Sequence, residues 1–166
     1  MTFQVGNYVV HSSQGVCLVK DRVFNSFATG GEKEYYVLAP LHDQRNTRYI
    51  PVEVAHRSLR NIMSKEQMMD CIKILPTVDG ETNLSKNAKK MFIEQANKSM
   101  DTLDKIRLMK TMYLIKEECL KKGKSMSYAD EMVLREVENF FFGEISIVME
   151  IPIEEVLGFI TNIIDN

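Results

Sequence analysis

No tryptophan occurs in these 166 residues, and cysteine, histidine and proline are sparse at three, three and four. Cys17, Cys71 and Cys119 are odd in number and widely spaced, which argues against a disulfide framework and for reduced thiols packed in a core. The cysteines lack metal-ligand spacing and His11, His42 and His56 are scattered, so no metal site is expected. A glycine-rich phosphate loop, a nucleophile elbow and a carboxylate pair of recognised spacing are likewise missing, and with them the usual grounds for an enzyme, an organic cofactor or a small-molecule substrate. No apolar run approaches the roughly 20 residues needed to span a bilayer. The first residues, with Gln4, Asn7 and alternating valines, lack a signal-peptide pattern, and a cytoplasmic protein is expected.

What is present suits a folded chain: 45% hydrophobic and 27% charged residues can bury a core as one compact domain or two small ones. The net charge of -2 conceals an uneven distribution. Residues 1–75 carry +2, residues 82–124 carry +6, and everything from 125 onward carries -8. A basic middle and an acidic end suggest one face for a polyanion and another for different contacts.

The first half reads as β structure. Phe3 to His11 and Gly15 to Val19 form two valine-rich segments joined by a glycine turn, as a small, strongly bent barrel of SH3 or Tudor type requires. Tyr35–Leu38, Arg48–Val52 and Ser58–Ile62 continue the pattern, with Gly30 and Gly31 marking the loop ahead of the first. Pro51 has no backbone donor, so its strand either lies at an edge or ends there. Such an edge can accept a partner strand or simply be protected by proline and charge.

From Ser64 the period changes to that of helices. Ser64 and Gln67 match a capping box, and Met68, Met69, Ile72 and Leu75 supply an apolar stripe, giving a short helix that closes the first domain. Residues 76–81, Pro-Thr-Val-Asp-Gly-Glu, form a turn-rich connector. Four helices are expected beyond it: one capped by Ser85, one begun by Asp101 or Thr102 and stopped near Lys122-Gly123, one capped by Ser127, and a last one near Pro152. The eleven methionines read as core filler at helical spacing. Lys86, Lys89 and Lys90 stand at i, i+3 and i+4, sharing one helix face beside an N-terminus whose free N–H groups also attract phosphate. That is either a DNA-backbone contact or a solvated lysine face.

The ordered set of Val5-Gly6…Val9-Val10, Gly15-Val16, Glu34–Leu38, Tyr49–Glu53 and Ser58–Ile62, followed by a lysine-bearing helical half, resembles the CarD/CdnL family of bacterial transcription regulators. Their N-terminal module is shared with the transcription-repair coupling factor. The resemblance covers residues 1–75 at motif level and the helical remainder by order of elements. It implies an α+β protein with a Tudor-like β-barrel over 1–75 that docks on the RNA polymerase β subunit, and an all-α domain over 76–166 that contacts promoter DNA, backbone and minor groove. Such a protein binds near the upstream edge of the melted bubble, stabilises the open complex and follows polymerase to the nucleoid.

Residue by residue, the family presents a basic side chain two positions before its proline, where this chain has Tyr49. Arg48 is adjacent but points to the opposite face by strand alternation unless a bulge intervenes. Arg48 and Tyr49, with Lys20 and Arg22 on the preceding strand, are the candidate polymerase contacts. The DNA candidates are Leu84, Lys86, Lys89 and Lys90. The better-known members carry a tryptophan wedge just before the capping serine, where this chain has Leu84, which can insert into a minor groove but lacks the indole's ring face and donor. The lysines are therefore expected to supply most of the DNA affinity. The alternative is a protein-only adaptor, in which the acidic helices recruit a further protein and DNA is not touched.

Overall fold

The computed structural model describes residues 2–27 and 30–166. Its contacts divide the chain into two units, Met1–Ile62 and Met63–Asn166.

The first unit is an antiparallel sheet of five strands, β1 (Tyr8–His11), β2 (Gly15–Asn25), β3 (Lys33–Pro40), β4 (Arg48–Pro51) and β5 (Leu59–Asn61), in the spatial order β4-β3-β2-β1-β5. Valine and tyrosine, which favour extended backbone, dominate its central strands. Among the described residues β4 and β5 do not pair, so the sheet is open. The expected α+β class is present, with strands first and helices after, whereas ring closure into a barrel is not made. A 3-10 turn over Val52–Arg57 connects the two edge strands in its place.

The core of this unit is Phe3, Val9, Cys17, Val19, Tyr36, Leu38, Ala55 and Leu59, with Ile50 and Val52 packed against it. Phe3 is tied in from outside the strands: its N–H donates to the Tyr36 hydroxyl at 3.0 Å and its ring meets Tyr36 edge-on at 5.7 Å. Thus a buried phenol finds a partner. Between β1 and β2, Gly15 takes φ +73°, a left-handed conformation open to glycine at no steric cost. The His11 ring closes the same turn, its Nδ1 accepting from the N–H groups of Ser13 at 3.1 Å and Gln14 at 3.2 Å.

The register between β2 and β3 slips at one place. Val19 pairs with Leu38 and Asp21 with Val37, leaving Lys20 as an extra residue. This bulge resets the alternation, so that Arg22 opposite Tyr36, rather than Asp21, shares the core-side face with Val19.

The second unit contains five helices: α1 (Lys65–Lys73), α2 (Lys86–Lys98), α3 (Thr102–Lys121), α4 (Tyr128–Met149) and α5 (Val156–Asp165). The contact boundary lies ahead of α1 and not in the 76–81 connector, because α1 packs with α4 and α5. Each expected cap is in place. Ser64 Oγ accepts from Gln67 N at 3.1 Å while Gln67 Oε1 accepts from Ser64 N at 2.9 Å, and Ser85, Asp101 and Ser127 accept from Ala88, Leu103 and Asp130. Gly123, at φ +68°, ends the segment after α3. Met68, Ile106, Leu108, Met112, Phe141 and Ile145 are fully buried and fill the interior.

Burial pushes the Cys17 thiol up to about 12, against a weaker opposing pull from Arg48. The neutral thiol is a poor nucleophile. At pH 8, alkylation of the native protein should therefore modify the half-buried Cys119 and spare Cys17 until the sheet unfolds. Peptide mapping of the labelled protein checks this, and early modification of Cys17 would contradict the packing described.

Candidate functional site

Two surfaces carry the residues singled out from the sequence, one in each unit. In the sheet unit, β4 pairs with β3 through an uninterrupted register, Val37 opposite Tyr49 and Leu38 opposite Arg48. With no bulge to change their parity, Arg48 lies on the face of buried Leu38 and Tyr49 on the other. Both nevertheless line one groove of about 490 Å³, together with Thr47, Ile50 and, from the turn between β1 and β2, His11 and Gln14.

Next to it is an aromatic cluster. The Phe27 ring meets Tyr35 at 5.1 Å and Tyr49 at 4.9 Å, both edge-on. Tyr35 is buried, whereas Phe27 is 55% and Tyr49 46% exposed. Two half-exposed rings stiffened by a buried third, beside a strand edge with no ladder partner among the described residues, make a surface suited to another protein. Sequence reading missed Phe27. Its only signal was an aromatic residue shortly before the Gly30-Gly31 loop.

Lys20 and Arg22 are not brought into this groove. Lys20 is the bulged residue. Arg22 is engaged locally: its guanidinium lies 2.5 Å from Glu34 and 5.5 Å from the centre of the Tyr36 ring, and the bond to Glu34 holds it above its ordinary ionisation range. That geometry covers the ring of Tyr36 and leaves Arg22 less free to recruit a partner.

In the helical unit, the segment leading to α2 is fixed onto α3. The Glu81 N–H donates to Thr111 Oγ1 at 2.9 Å, and the Glu81 carboxylate meets Arg107 at 2.7 Å. Lys110 Nζ donates to the Leu75 carbonyl. Gly80 passes so close to α3 that a Cβ there would stand 2.7 Å from the Thr111 nitrogen. Asn83 then adopts φ +57°, a left-handed conformation that asparagine tolerates. The half-buried Leu84 and the capping Ser85 follow directly.

Of the three lysines, Lys86 and Lys90 are exposed. Lys89 is not free. Its Nζ contacts both carboxylate oxygens of Asp130, at 3.0 and 2.9 Å, with side-chain exposures of 30% and 12%. The pair clasps α2 to the first turn of α4, where an acid also suits the helix dipole. Leu84, Lys86 and Lys89 line one open cleft of about 910 Å³. Its walls also hold Glu81, Glu117, Glu118 and Asp130 against Lys121, so the interior is no simple anion trap.

Among the described residues, no group of three or more His, Cys, Asp or Glu could hold a metal ion, and no helix is long and apolar enough to cross a membrane. Residues 3–63 match a family model described as the CarD-like/TRCF RID domain. No curated protein matches the chain.

Lys89→Ala should lower stability by about 1–3 kcal/mol, because it strands a largely buried carboxylate, while Lys86→Ala should stay within about 0.5 kcal/mol as an exposed change. Urea unfolding of both variants checks the difference. Gly80→Ala should cost about 1–3 kcal/mol, since the obstructing atoms are backbone and cannot turn aside. A neutral result in the same assay would mean that the 78–84 segment is not held against α3.

Proposed function

With its sheet unit belonging to the CarD-like/TRCF RID domain family, which indicates interaction with RNA polymerase, we propose that this chain is a transcription regulator acting by binding rather than catalysis. The sheet unit docks on the polymerase β subunit through the β4 edge. Arg48 supplies charge in the groove and Tyr49, braced by Phe27, supplies apolar area. The helical unit contacts promoter DNA near the upstream edge of the bubble and, by preferring the open form, stabilises the open complex. The protein works in the cytoplasm, carried to the nucleoid by polymerase.

The observation that carries this reading is the family match over residues 3–63, joined to the exposed ring pair Phe27 and Tyr49 at an unpaired strand edge. On the DNA side it is supported by exposed Lys86 and Lys90 beside the start of α2. Neutralising a few phosphates there releases counterions and makes affinity salt-dependent without reading bases. Lys89 acts at one remove, holding α2 against α4, and Leu84 adds a modest apolar contact. One observation favours the adaptor reading: the cleft at the start of α2 is lined by four acids and three lysines, so it carries no excess of positive charge.

Promoter melting by the cognate polymerase, followed with a fluorescent base in the bubble, separates the two. A preference of about 1–3 kcal/mol for the open form raises its population or lifetime several-fold or more. That gain should vanish in Tyr49→Ala, which uncouples the protein from polymerase, and fall sharply in the Lys86→Ala, Lys90→Ala double variant, which does not. Unchanged melting alongside demonstrated binding to the β subunit would leave the adaptor.

A further inference from the structure

Residues 156–164, Val-Leu-Gly-Phe-Ile-Thr-Asn-Ile-Ile, contain no charge in a chain of which 27% is charged. They make up all of α5 except its last residue. A helix apolar on every side is ordinarily buried on every side, and this one is not. Val156 and Ile160 are buried, Phe159 and Ile163 partly so, and α5 packs on α1 and α4. Along the flank of that buried face Leu157 is 61% and Ile164 39% exposed, and Ile153, one turn ahead of Leu157, is 40% exposed. Scattered apolar side chains on a surface carry no meaning. These three follow helical spacing and form a ridge. Thr161 stands between Leu157 and Ile164, and its hydroxyl donates to the Leu157 carbonyl at 2.9 Å, so the polar group within the ridge is spent on its own backbone.

Next to Leu157 is Gly158, a poor helix former in a helix interior. A Cβ built on it would meet nothing within 4 Å, and its φ lies outside the left-handed region. Neither packing within the chain nor backbone geometry asks for glycine there. What it supplies is a notch beside the ridge, where a second helix can approach closely. The ends of the ridge are acidic. Glu154 and Glu155 precede it and Asp165 follows, all exposed and without an ion-pair partner among the described residues. From residue 125 onward Arg135 stands alone against nine acids. Two copies of α5 laid together would set like charges against each other, Glu154 and Glu155 against Asp165 when antiparallel and against themselves when parallel. Phosphate-bearing surfaces are repelled in the same way. The complement is an apolar surface with basic flanks.

We propose that the ridge of Ile153, Leu157 and Ile164, with the notch at Gly158, is a docking surface for an amphipathic helix of another protein, one whose apolar stripe is flanked by lysine or arginine. Apolar contact supplies the affinity, and the carboxylates orient the partner and speed its encounter. The surface is separate from the β4 edge, and its use does not depend on whether the lysines of α2 meet DNA.

The test titrates the full chain into a fluorescein-labelled helical peptide of about 18 residues, five turns, with leucine along one face and lysine on both flanks. Saturable binding is expected, and none to a peptide of the same composition in scrambled order. Leu157→Gln with Ile164→Gln should weaken binding about tenfold or more. Glu154→Gln with Glu155→Gln should weaken it chiefly at low salt and flatten its salt dependence. Gly158→Gln separates the notch from helix stability: glutamine is the better helix former and should raise the melting temperature by about 1–3 °C, while its side chain fills the notch and weakens binding. The substituted positions are exposed, so the other variants should melt near the parent protein, and their loss of binding is not a loss of fold. Equal binding of the ordered and scrambled peptides, or indifference to the Leu157 and Gly158 changes, would overturn the proposal. So would a dimer of the free chain in sedimentation velocity that Leu157→Gln with Ile164→Gln abolishes, since the occupant would then be a second copy.

Discussion

The arrangement of the helical unit turns on the clasp between Lys89 and Asp130. An ammonium held by both oxygens of a largely buried carboxylate is a fixed joint: separating the two leaves a charge in a place where water cannot fully solvate it. The joint ties the first turn of α2 to the first turn of α4, whose own cap, Ser127, already binds the Asp130 N–H. Upstream, Gly80 and Glu81 lock the entering chain onto α3. Three helices are thereby gathered at one end. Which lysines face outward there follows from that gathering and not from their spacing along α2.

In the sheet unit a single inserted residue has a comparable reach. Without the bulge at Lys20, Asp21 would stand opposite Tyr36, placing an acid beside a fully buried ring. With it, Arg22 takes that position, covers the ring and binds Glu34. The same shift frees the opposite face of β3 and β4 for Tyr35, Tyr49 and the ring of Phe27. A basic strand residue is turned to structural use, and aromatic surface is left exposed at the edge.

Much of this was legible from the residues because it is local. The capping box at Ser64, the caps at Ser85, Asp101 and Ser127, and the segments around Tyr36, Ile50 and Leu59 depend on neighbours within a few positions, and there the structure agrees. The opposite orientations of Arg48 and Tyr49 followed from alternation alone. Closure of the sheet was not legible, since it depends on whether the strands flanking Val52–Arg57 meet, and nothing in either strand encodes that meeting. Nor was the partner of Lys89. Asp130 lies on another helix and reads in sequence as an ordinary first-turn acid. Phe27 escaped notice for the same reason, its meaning arising only where Tyr35 and Tyr49 converge on it.

The departures from the better-known pattern, Leu84 for a tryptophan and one lysine of three withdrawn into an ion pair, bear on how strong the DNA contact has to be. On the proposed function, the chain meets DNA while already held on polymerase, so the second contact is intramolecular, at an effective concentration of order mM for a short connection. A DNA contact far too weak to form from dilute solution is then substantially occupied, and a strong one would carry a penalty of its own. Grip that did not distinguish closed from open DNA would add affinity without shifting the equilibrium between them, because only differential binding moves a population. A few exposed lysines near acids, with little apolar insertion, give weak attraction to any phosphate backbone. Selectivity for the melted state then has to come from a feature that duplex DNA cannot satisfy, and another lysine would not supply one.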